Sequence, residues 1–170
     1  RGYGRSSGQP DVTSMMADCQ KVFDFCRNWL AENGYTGKQV VMGRSLGSAS
    51  ALEIAATRQN EIDALIIESG FARLLPLLRL MGVNPEPLGI SEENGLGHLD
   101  KIKRCHQPLL VIHAEYDHII PFSDGQDLFE ACPTTSKMFV KIDDADHNTI
   151  FYYGIDKYIG GITEFFDNLP

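Results

Sequence analysis

Short apolar runs alternate along the chain with longer segments in which apolar residues recur every three or four positions. The runs predict buried strands, and the spacing of three or four predicts amphipathic helices. The predicted strands cover residues 39–43, 62–68, 108–114 and 138–142, and the predicted helices cover residues 14–33, 45–58, 123–131 and 155–168. This alternation indicates an α/β fold with a mostly parallel sheet that is covered by helices on both faces.

Glycine, proline and small polar residues mark where these elements end. Residues 1–10 are rich in glycine and serine and are predicted to form a loop. The first helix is expected to have Thr13 or Ser14 as its N-cap and to stop at Gly34. Its apolar stripe predicts one buried face, formed by Met15, Cys19, Val22, Cys26, Trp29 and Leu30. Residues 71–99 begin with an aliphatic run and are otherwise expected to be irregular.

Length and composition fit one globular domain with a sizeable core. The chain has 170 residues, of which 43% are hydrophobic and 22% are charged. Its aliphatic runs are far shorter than the about 20 residues that a membrane-spanning helix needs, so no integral membrane segment is expected. The formal net charge of −8 has the wrong sign for a protein that binds phosphate backbones, which argues against nucleic acid as a partner.

The four cysteines are better explained as free thiols than as a disulfide framework. They stand at positions 19, 26, 105 and 132 and form no C-x-x-C pair. On one helix, Cys19 and Cys26 would lie roughly 10 Å apart, which is too far for a disulfide. Buried free thiols are typical of a reducing compartment, so a cytoplasmic location is expected.

The sharpest chemical motif is Gly43-Arg44-Ser45-Leu46-Gly47, which follows a predicted strand and opens a predicted helix. In a G-x-S-x-G turn the serine occupies a strained position at the carboxyl edge of the sheet, and the flanking glycines remove Cβ atoms that would collide. The Leu46 N–H then stands at the positive end of the helix, where it can stabilise an oxyanion. The alternative interpretation is an ordinary strand-to-helix turn with a capping serine.

A serine nucleophile needs a general base, and the base needs a carboxylate that orients it. Asp117 follows the third predicted strand and His147 follows the fourth. Both side chains are therefore expected at the same edge of the sheet as Ser45. The chain order Ser, Asp, His is the order of the α/β-hydrolase triad.

Each of these assignments has an alternative. Asp117 is also explained as a turn residue, and His147 as a surface residue in an acidic loop. The rival acids are Glu115, Asp144 and Asp146, of which Asp146 ranks lower because an immediate neighbour seldom reaches the far nitrogen of the imidazole. The other histidines are weaker candidates for the base: His113 lies in a predicted strand, His118 directly follows the preferred acid, and His98 and His106 lie in polar loop sequence.

Taken together, these motifs resemble the C-terminal two-thirds of a serine hydrolase of the α/β-hydrolase superfamily. The resemblance rests on R-G-Y-G-R-S-S-G at residues 1–8, G-R-S-L-G-S-A at residues 43–49, the segment 99–121, and A-D-H-N at residues 145–148. The chain is similar to the Bem46-like and depalmitoylase-like branch and to the dienelactone-hydrolase and prolyl-oligopeptidase-like sets. Ala114 departs from the glycine that the family usually has in its H-G-x-x-D segment.

Two parts of that family's fold have no counterpart in this sequence. The family takes its second oxyanion N–H from a loop after its third strand, often within an H-G sequence, and nothing before Arg1 supplies it. If the family's strand order holds, the strand at residues 39–43 has also lost its inner neighbour and forms an unpaired edge. We therefore expect the 170 residues to be the remainder of a longer chain, and a mature natural product that begins at Arg1 would contradict this expectation.

The resemblance implies a Ser45–His147–Asp117 triad that cleaves a carboxylic ester or thioester through an acyl-enzyme, with the Leu46 N–H in the oxyanion hole. It implies a small-molecule or acyl substrate and requires no metal or organic cofactor. Residues 71–99 lie where the family often inserts a cap. Their leucines fit either an apolar acyl group or simple helix packing.

Functions of other classes remain open at this point. An acyltransferase or a serine peptidase would use the same triad, and a non-catalytic α/β-hydrolase-like domain would bind a ligand without reaction. A haloalkane dehalogenase is disfavoured, because that branch has aspartate at the position of Ser45. The sequence indicates neither the substrate nor the oligomeric state.

Overall fold

The computed structural model describes residues 1–80, 82–92 and 95–170, which divide into two compact units, residues 1–38 and residues 39–170. The first unit contains a loop followed by α1 (Val12–Glu32). The second contains β1 (Val40–Arg44), α2 (Gly47–Thr57), β2 (Ala64–Glu68), α3 (Leu74–Leu80), α4 (His98–Ile102), β3 (Leu109–Ala114), α5 (Phe122–Ala131), β4 (Lys137–Ile142) and α6 (Ile150–Asp167). The four strands fall where the apolar runs predict them.

Helix α1 differs from the prediction at its start and on its apolar face. Its N-cap is Asp11, whose carboxylate accepts the N–H of Ser14 at 2.8 Å, so the predicted cap at Thr13 or Ser14 is wrong. The predicted apolar face is only partly buried, because Val22 and Trp29 are exposed. The spacing of apolar residues defines a helix face, whereas burial also requires a surface that covers it.

The second unit is built on a sheet of four parallel strands in the order β1-β2-β3-β4. The end of β1 pairs with the end of β2 through Arg44 and Glu68, and the end of β3 pairs with the end of β4 through Ala114 and Ile142. Every residue of β2 and β3 is buried, as expected for inner strands of a covered parallel sheet. Within the described residues β1 is an edge strand, in agreement with the sequence-based expectation.

Helices cover both faces of this sheet. On one face, α6 packs on β3 and β4 and completes an apolar cluster. Its central members are Ile66, Leu110, Ile112, Val140, Ile142, Ile150, Tyr158 and Phe165. On the other face, α2 packs on β1 and β2, α5 packs on β3, and α4 contacts both of these helices. Alternate strand residues such as Leu65 and Ile67 point toward this face and are buried. None of the helices described is long and apolar enough to cross a membrane.

The structure corrects the predicted start of the last helix. Helix α6 begins at Ile150 rather than at residue 155, and Gly154 interrupts it with non-helical angles of φ −147° and ψ 34°. A Cβ at this glycine would lie 2.5 Å from Cγ2 of Ile142, so glycine allows the helix to approach β4 closely. The glycine and the kink together hide the first turn from a periodicity argument.

The segment 71–99 is partly helical rather than irregular after its start. It contains α3, a short 3-10 turn over Glu86–Leu88 and the beginning of α4, while Met81, Glu93 and Asn94 lie outside the described residues. The first N–H groups of α3, from Leu74 and Leu75, donate to the carboxylate of Glu92 at 3.0 and 2.8 Å. Because this cap is distant in the sequence, the usual local capping signal is missing.

The cysteines are free but not uniformly buried. Cys105 and Cys132 are buried, whereas Cys19 is half-buried and Cys26 is exposed, so the expectation of four buried thiols is wrong. Burial raises the pKa of the Cys105 thiol to about 12 and also raises the pKa of the Cys132 thiol. These two thiols are therefore protonated side chains that pack as small apolar groups.

Candidate active site

The turn between β1 and α2 holds Ser45 in a backbone conformation that non-glycine residues seldom adopt. Its φ is 52°, and its N–H donates to the carbonyl oxygen of Glu68 at the end of β2, at 2.9 Å. A Cβ at Gly43 would lie 2.5 Å from the carbonyl oxygen of Gly47 and 2.7 Å from Cβ of Ala51. Gly43 is therefore required for close packing of the turn. The same prediction for Gly47 is wrong, because a Cβ there would meet open space.

Leu46 stands at the N-terminus of α2. The helix begins at Gly47 with Leu46 as its N-cap, and the carbonyl oxygens of Ser45 and Leu46 accept the N–H groups of Ser48 and Ala49 at 2.9 and 3.1 Å. The first of these hydrogen bonds thus starts at the carbonyl of the serine itself. This places the Leu46 N–H at the positive end of the helix, as the motif predicts.

Two backbone hydrogen bonds bring the loop after β3 beside the loop after β4. The N–H of Glu115 donates to the carbonyl oxygen of Ile142, and the N–H of Tyr116 donates to that of Ala145, both at 2.9 Å. The loops that carry Asp117 and His147 therefore run side by side at the carboxyl edge of the sheet.

The structure brings Ser45, His147 and Asp117 into one hydrogen-bonded line. Nε2 of His147 lies 3.0 Å from Oγ of Ser45, and Nδ1 of His147 lies 2.7 Å from Oδ2 of Asp117. The other carboxylate oxygen of Asp117 accepts the backbone N–H groups of Ile119 and Ile120 at 3.0 and 2.8 Å. Oγ of Ser45, the two ring nitrogens of His147 and Oδ2 of Asp117 are thus connected by two contacts of hydrogen-bond length.

The surroundings of Asp117 determine the proton positions in this line. Burial alone raises the pKa of the Asp117 carboxyl, but hydrogen bonds from His147 and from the N–H groups of Ile120 and Ile119 outweigh burial and lower that pKa. The carboxylate is therefore ionised and can only accept. Nδ1 of His147 consequently donates to Asp117, and in the neutral imidazole tautomer with this proton the lone pair of Nε2 faces the hydroxyl of Ser45.

His113 forms a hydrogen bond with the loop that carries Asp117. Its buried ring lies in β3, and its Nε2–H donates to the carbonyl oxygen of Ile120 at 3.0 Å, with Oδ2 of Asp117 3.6 Å away. Burial lowers the pKa of His113, so the ring is neutral. The interpretation of His113 as a strand residue rather than the base agrees with these contacts.

The rival acids and the remaining histidines either have other hydrogen-bond partners or are exposed. Glu115 forms an ion pair with Lys141 at 2.7 Å, and Asp146 accepts the N–H groups of Asn148 and Thr149 in its own turn. Asp144, His106 and His118 are exposed.

The sequence places His98 in a polar loop, but in the structure it is the first residue of α4. It is buried on α4, where its Nδ1 lies 2.6 Å from the carbonyl oxygen of Phe71 and its ring packs against the Phe71 ring at an interplanar angle of 43°. Among residues 1–80, 82–92 and 95–170, no group of three or more His, Cys, Asp or Glu side chains is arranged to hold a metal ion.

One polar network at this edge was missed by reasoning from sequence. The buried carboxylate of Glu68 accepts Nε–H of Arg44 and the hydroxyl of Tyr158, both at 2.8 Å. Arg44 also donates from Nη2 to the backbone carbonyl of His147. The available signal was that Arg44 directly follows one predicted strand and Glu68 ends the next, so that opposite charges stand beside the candidate nucleophile.

The chain is similar to known α/β-hydrolase domain proteins. No protein-family model matches the chain. The chain is 30% identical over 169 residues to alpha/beta hydrolase domain-containing protein 17B of Homo sapiens, covering 96% of this chain and 53% of that protein. It is 27% identical over 168 residues to alpha/beta hydrolase domain-containing protein aho-3 of Caenorhabditis elegans, covering 98% of this chain and 46% of that protein. The chain thus spans about half the length of the curated relatives that it matches.

Solved structures show the same likeness in the fold. A thermophilic esterase from Thermogutta terrifontis superposes with a TM-score of 0.70 at 21% identity, covering 99% of this chain and 78% of that one. At this identity the match concerns the fold, and it includes the parallel sheet and the helices on its two faces.

Proposed function

Because the chain is a member of the α/β-hydrolase superfamily and carries part of that fold, we propose that it is a serine hydrolase. The proposed reaction is cleavage of a carboxylic ester or thioester through an acyl-enzyme. The observation that carries the proposal is the line from Oγ of Ser45 through the His147 ring to Asp117, with separations of 3.0 and 2.7 Å. Serine, base and orienting acid are the groups that such a reaction requires.

Acylation begins with attack of the Ser45 hydroxyl on the acyl carbonyl carbon. Its proton passes to Nε2 of His147, and the carboxylate of Asp117 stabilises the resulting imidazolium through the Nδ1–H bond. The tetrahedral intermediate then collapses, His147 returns the proton to the leaving alcohol or thiol, and the bond to that group breaks. The acyl group remains on Oγ of Ser45.

Deacylation repeats these steps with water. His147 accepts a proton from water as the oxygen attacks the acyl carbon, and it then donates that proton to Oγ of Ser45 as the ester bond breaks. The carboxylic acid leaves and the serine is restored. The N–H of Leu46, at the positive end of α2, stabilises the oxyanion in both steps, and loss of one such donor commonly lowers kcat by about 10²–10³-fold.

We further propose that residues 71–99 form a cap over the substrate, within a catalytic domain that the 170 residues represent in part. Support comes from their place between β2 and β3 and from the exposed apolar side chains of Leu80 and Leu88. An apolar acyl group fits such a surface. A reducing, cytoplasmic location is supported by the four free thiols.

The test is hydrolysis of a panel of substrates by the natural full-length protein. The panel contains short and long acyl p-nitrophenyl esters, an acyl thioester and a peptide amide, with product analysis for acyl transfer to an added alcohol. We expect ester or thioester cleavage that falls by roughly 10⁴-fold or more in Ser45→Ala. Ser50→Ala, the same change on the neighbouring helix α2, should retain wild-type kcat.

A Ser45→Ala protein that keeps full ester hydrolysis would overturn the proposal. Peptide cleavage or acyl transfer that exceeds ester hydrolysis would assign the same three residues to a peptidase or an acyltransferase. Absence of turnover on every substrate would favour a binding domain.

A further inference from the structure

Glu68 connects the strand of the nucleophile to the rest of the site. It ends β2, and its carbonyl oxygen accepts the N–H of Ser45 at 2.9 Å. Its side chain is 3% exposed, and both carboxylate oxygens have donors, Nε of Arg44 and the hydroxyl of Tyr158. Burial and the hydrogen bond to Glu68 raise the pKa of Tyr158, so the hydroxyl keeps its proton and donates.

Arg44 extends this connection to the base. It precedes Ser45 in the chain, and its guanidinium donates from Nε to Glu68 and from Nη2 to the backbone carbonyl of His147. The guanidinium is planar and its donors have fixed directions, so the two bonds set the position of one partner relative to the other. The His147 ring itself bonds Asp117 and Ser45, and the Arg44 bond adds a restraint on its backbone.

We propose that Arg44, held by the Glu68 carboxylate to which Tyr158 also donates, is a positioning residue that fixes His147 at proton-transfer distance from Ser45. The inference rests on the proposed serine hydrolase function. Nε of the Arg44 guanidinium binds Glu68 at the end of β2, beside Ser45, and Nη2 binds the backbone of the loop that carries His147. A displacement of about 1 Å between reacting groups lowers turnover by up to about 10²-fold, so this restraint acts on kcat.

A purely structural role would not require the second bond. Glu68 needs a counter-charge because it is buried, and Nε of Arg44 supplies that charge directly. The side chain of Arg44 is 43% exposed, so water is available to solvate its remaining N–H groups. The bond to the His147 carbonyl therefore has a different consequence, which is the position of the histidine loop.

The experiment compares two Arg–Glu pairs in the natural full-length protein. The double variant Arg44→Gln with Glu68→Gln removes both charges together, so no buried carboxylate is left unpaired, and it deletes the bond to His147. The control, Arg58→Gln with Glu61→Gln, removes the Arg–Glu ion pair just beyond the C-terminal end of α2. Two quantities are measured: steady-state kcat and KM on the best ester, and the far-downfield NMR signal of the His147 Nδ1 proton.

We expect the Arg44/Glu68 double variant to lose about 10- to 100-fold in kcat with KM within about 3-fold of wild type, and its Nδ1 proton signal to shift or broaden. The control variant should keep both the kcat and the signal. If the Arg44/Glu68 protein does not fold, Arg44→Lys provides the same readouts, because it keeps the charge beside Glu68 without the planar fork.

An unchanged kcat in an active Arg44 variant would overturn the inference, and so would an unchanged Nδ1 signal. The NMR signal also separates this inference from the proposed function. A wild-type protein that hydrolyses no substrate contradicts the function, yet a shifted signal in the Arg44 variant alone would still establish that Arg44 positions His147. A signal that stays unchanged would reject the positioning role whatever the activity.

Discussion

Asp117 is the residue whose charge sets the protonation of the whole line. The hydrogen bond from His147 and the two backbone N–H groups of its loop hold its pKa below the ordinary value despite burial. An ionised Asp117 gives His147 one tautomer, with the proton on Nδ1 and the lone pair toward Ser45. The proposed hydrolase chemistry would depend on a carboxylate at Asp117 that accepts and never donates.

Replacement of Asp117 by asparagine should therefore lower kcat strongly while the protein keeps its fold. An amide can donate to Nδ1 of His147 and so favours the wrong tautomer, for which a loss of about 10⁴-fold is expected. The measurement is ester hydrolysis at neutral pH, with Asp144→Asn as the matched control on the adjacent loop. Comparable activity in the two variants would contradict the role assigned to Asp117.

At the scale of elements, the two glycines of the turn between β1 and α2 differ in how closely they are packed. Gly43 is packed against the backbone of Gly47 and the side chain of Ala51, whereas the position of a Cβ on Gly47 is open. A shared sequence motif thus contains one glycine that close packing requires and one that it does not.

This asymmetry predicts opposite outcomes for the same substitution. Gly43→Ala should lower the free energy of unfolding by about 1–3 kcal/mol, because the methyl group forces the turn apart. Gly47→Ala should leave it unchanged or raise it by up to about 1 kcal/mol, since alanine favours helix. Urea unfolding followed by circular dichroism measures both values. Equal losses in the two variants would show that the packing described for Gly43 is wrong.

Elements whose signals are local were predictable from sequence. The strands, the turn at Ser45 and the loops of Asp117 and His147 follow from apolar runs and from residues that end them. The cap of α3 by Glu92 and the link from Arg44 to His147 join positions far apart in the chain, so they emerge only in the folded structure. The start of α6 was missed because Gly154 breaks its periodicity.

At the scale of the whole molecule, the fold holds two neutral histidines inside the unit formed by residues 39–170. Burial lowers the pKa of His98 from 6.5 to about 4, against the opposing effect of its bond to the Phe71 carbonyl, and burial also lowers the pKa of His113. Since the folded-state pKa of His98 lies below the unfolded value, its neutral form costs no stability above pH 6.5. As the pH falls from 6.5 toward 4, the unfolded chain binds a proton that the folded chain does not, and stability is lost.

The His98 contribution should amount to about 2 kcal/mol of lost stability at pH 5 relative to pH 7. His98→Asn keeps a donor for the Phe71 carbonyl but removes the titrating ring. Its free energy of unfolding should therefore depend less steeply on pH, with the remaining slope including the effect of His113. Urea unfolding at pH 7 and at pH 5 gives the comparison, and an identical pH dependence in wild type and variant would reject this account.

We propose that Ser45 is a nucleophile activated by His147. The most direct measurement is reaction of the natural full-length protein with a fluorophosphonate probe, followed by mass spectrometry of the intact protein and of its peptides. We expect one adduct per chain, located on Ser45, and its absence from Ser45→Ala but not from Ser50→Ala. An adduct on another serine, or no adduct in a protein that still hydrolyses esters, would contradict it.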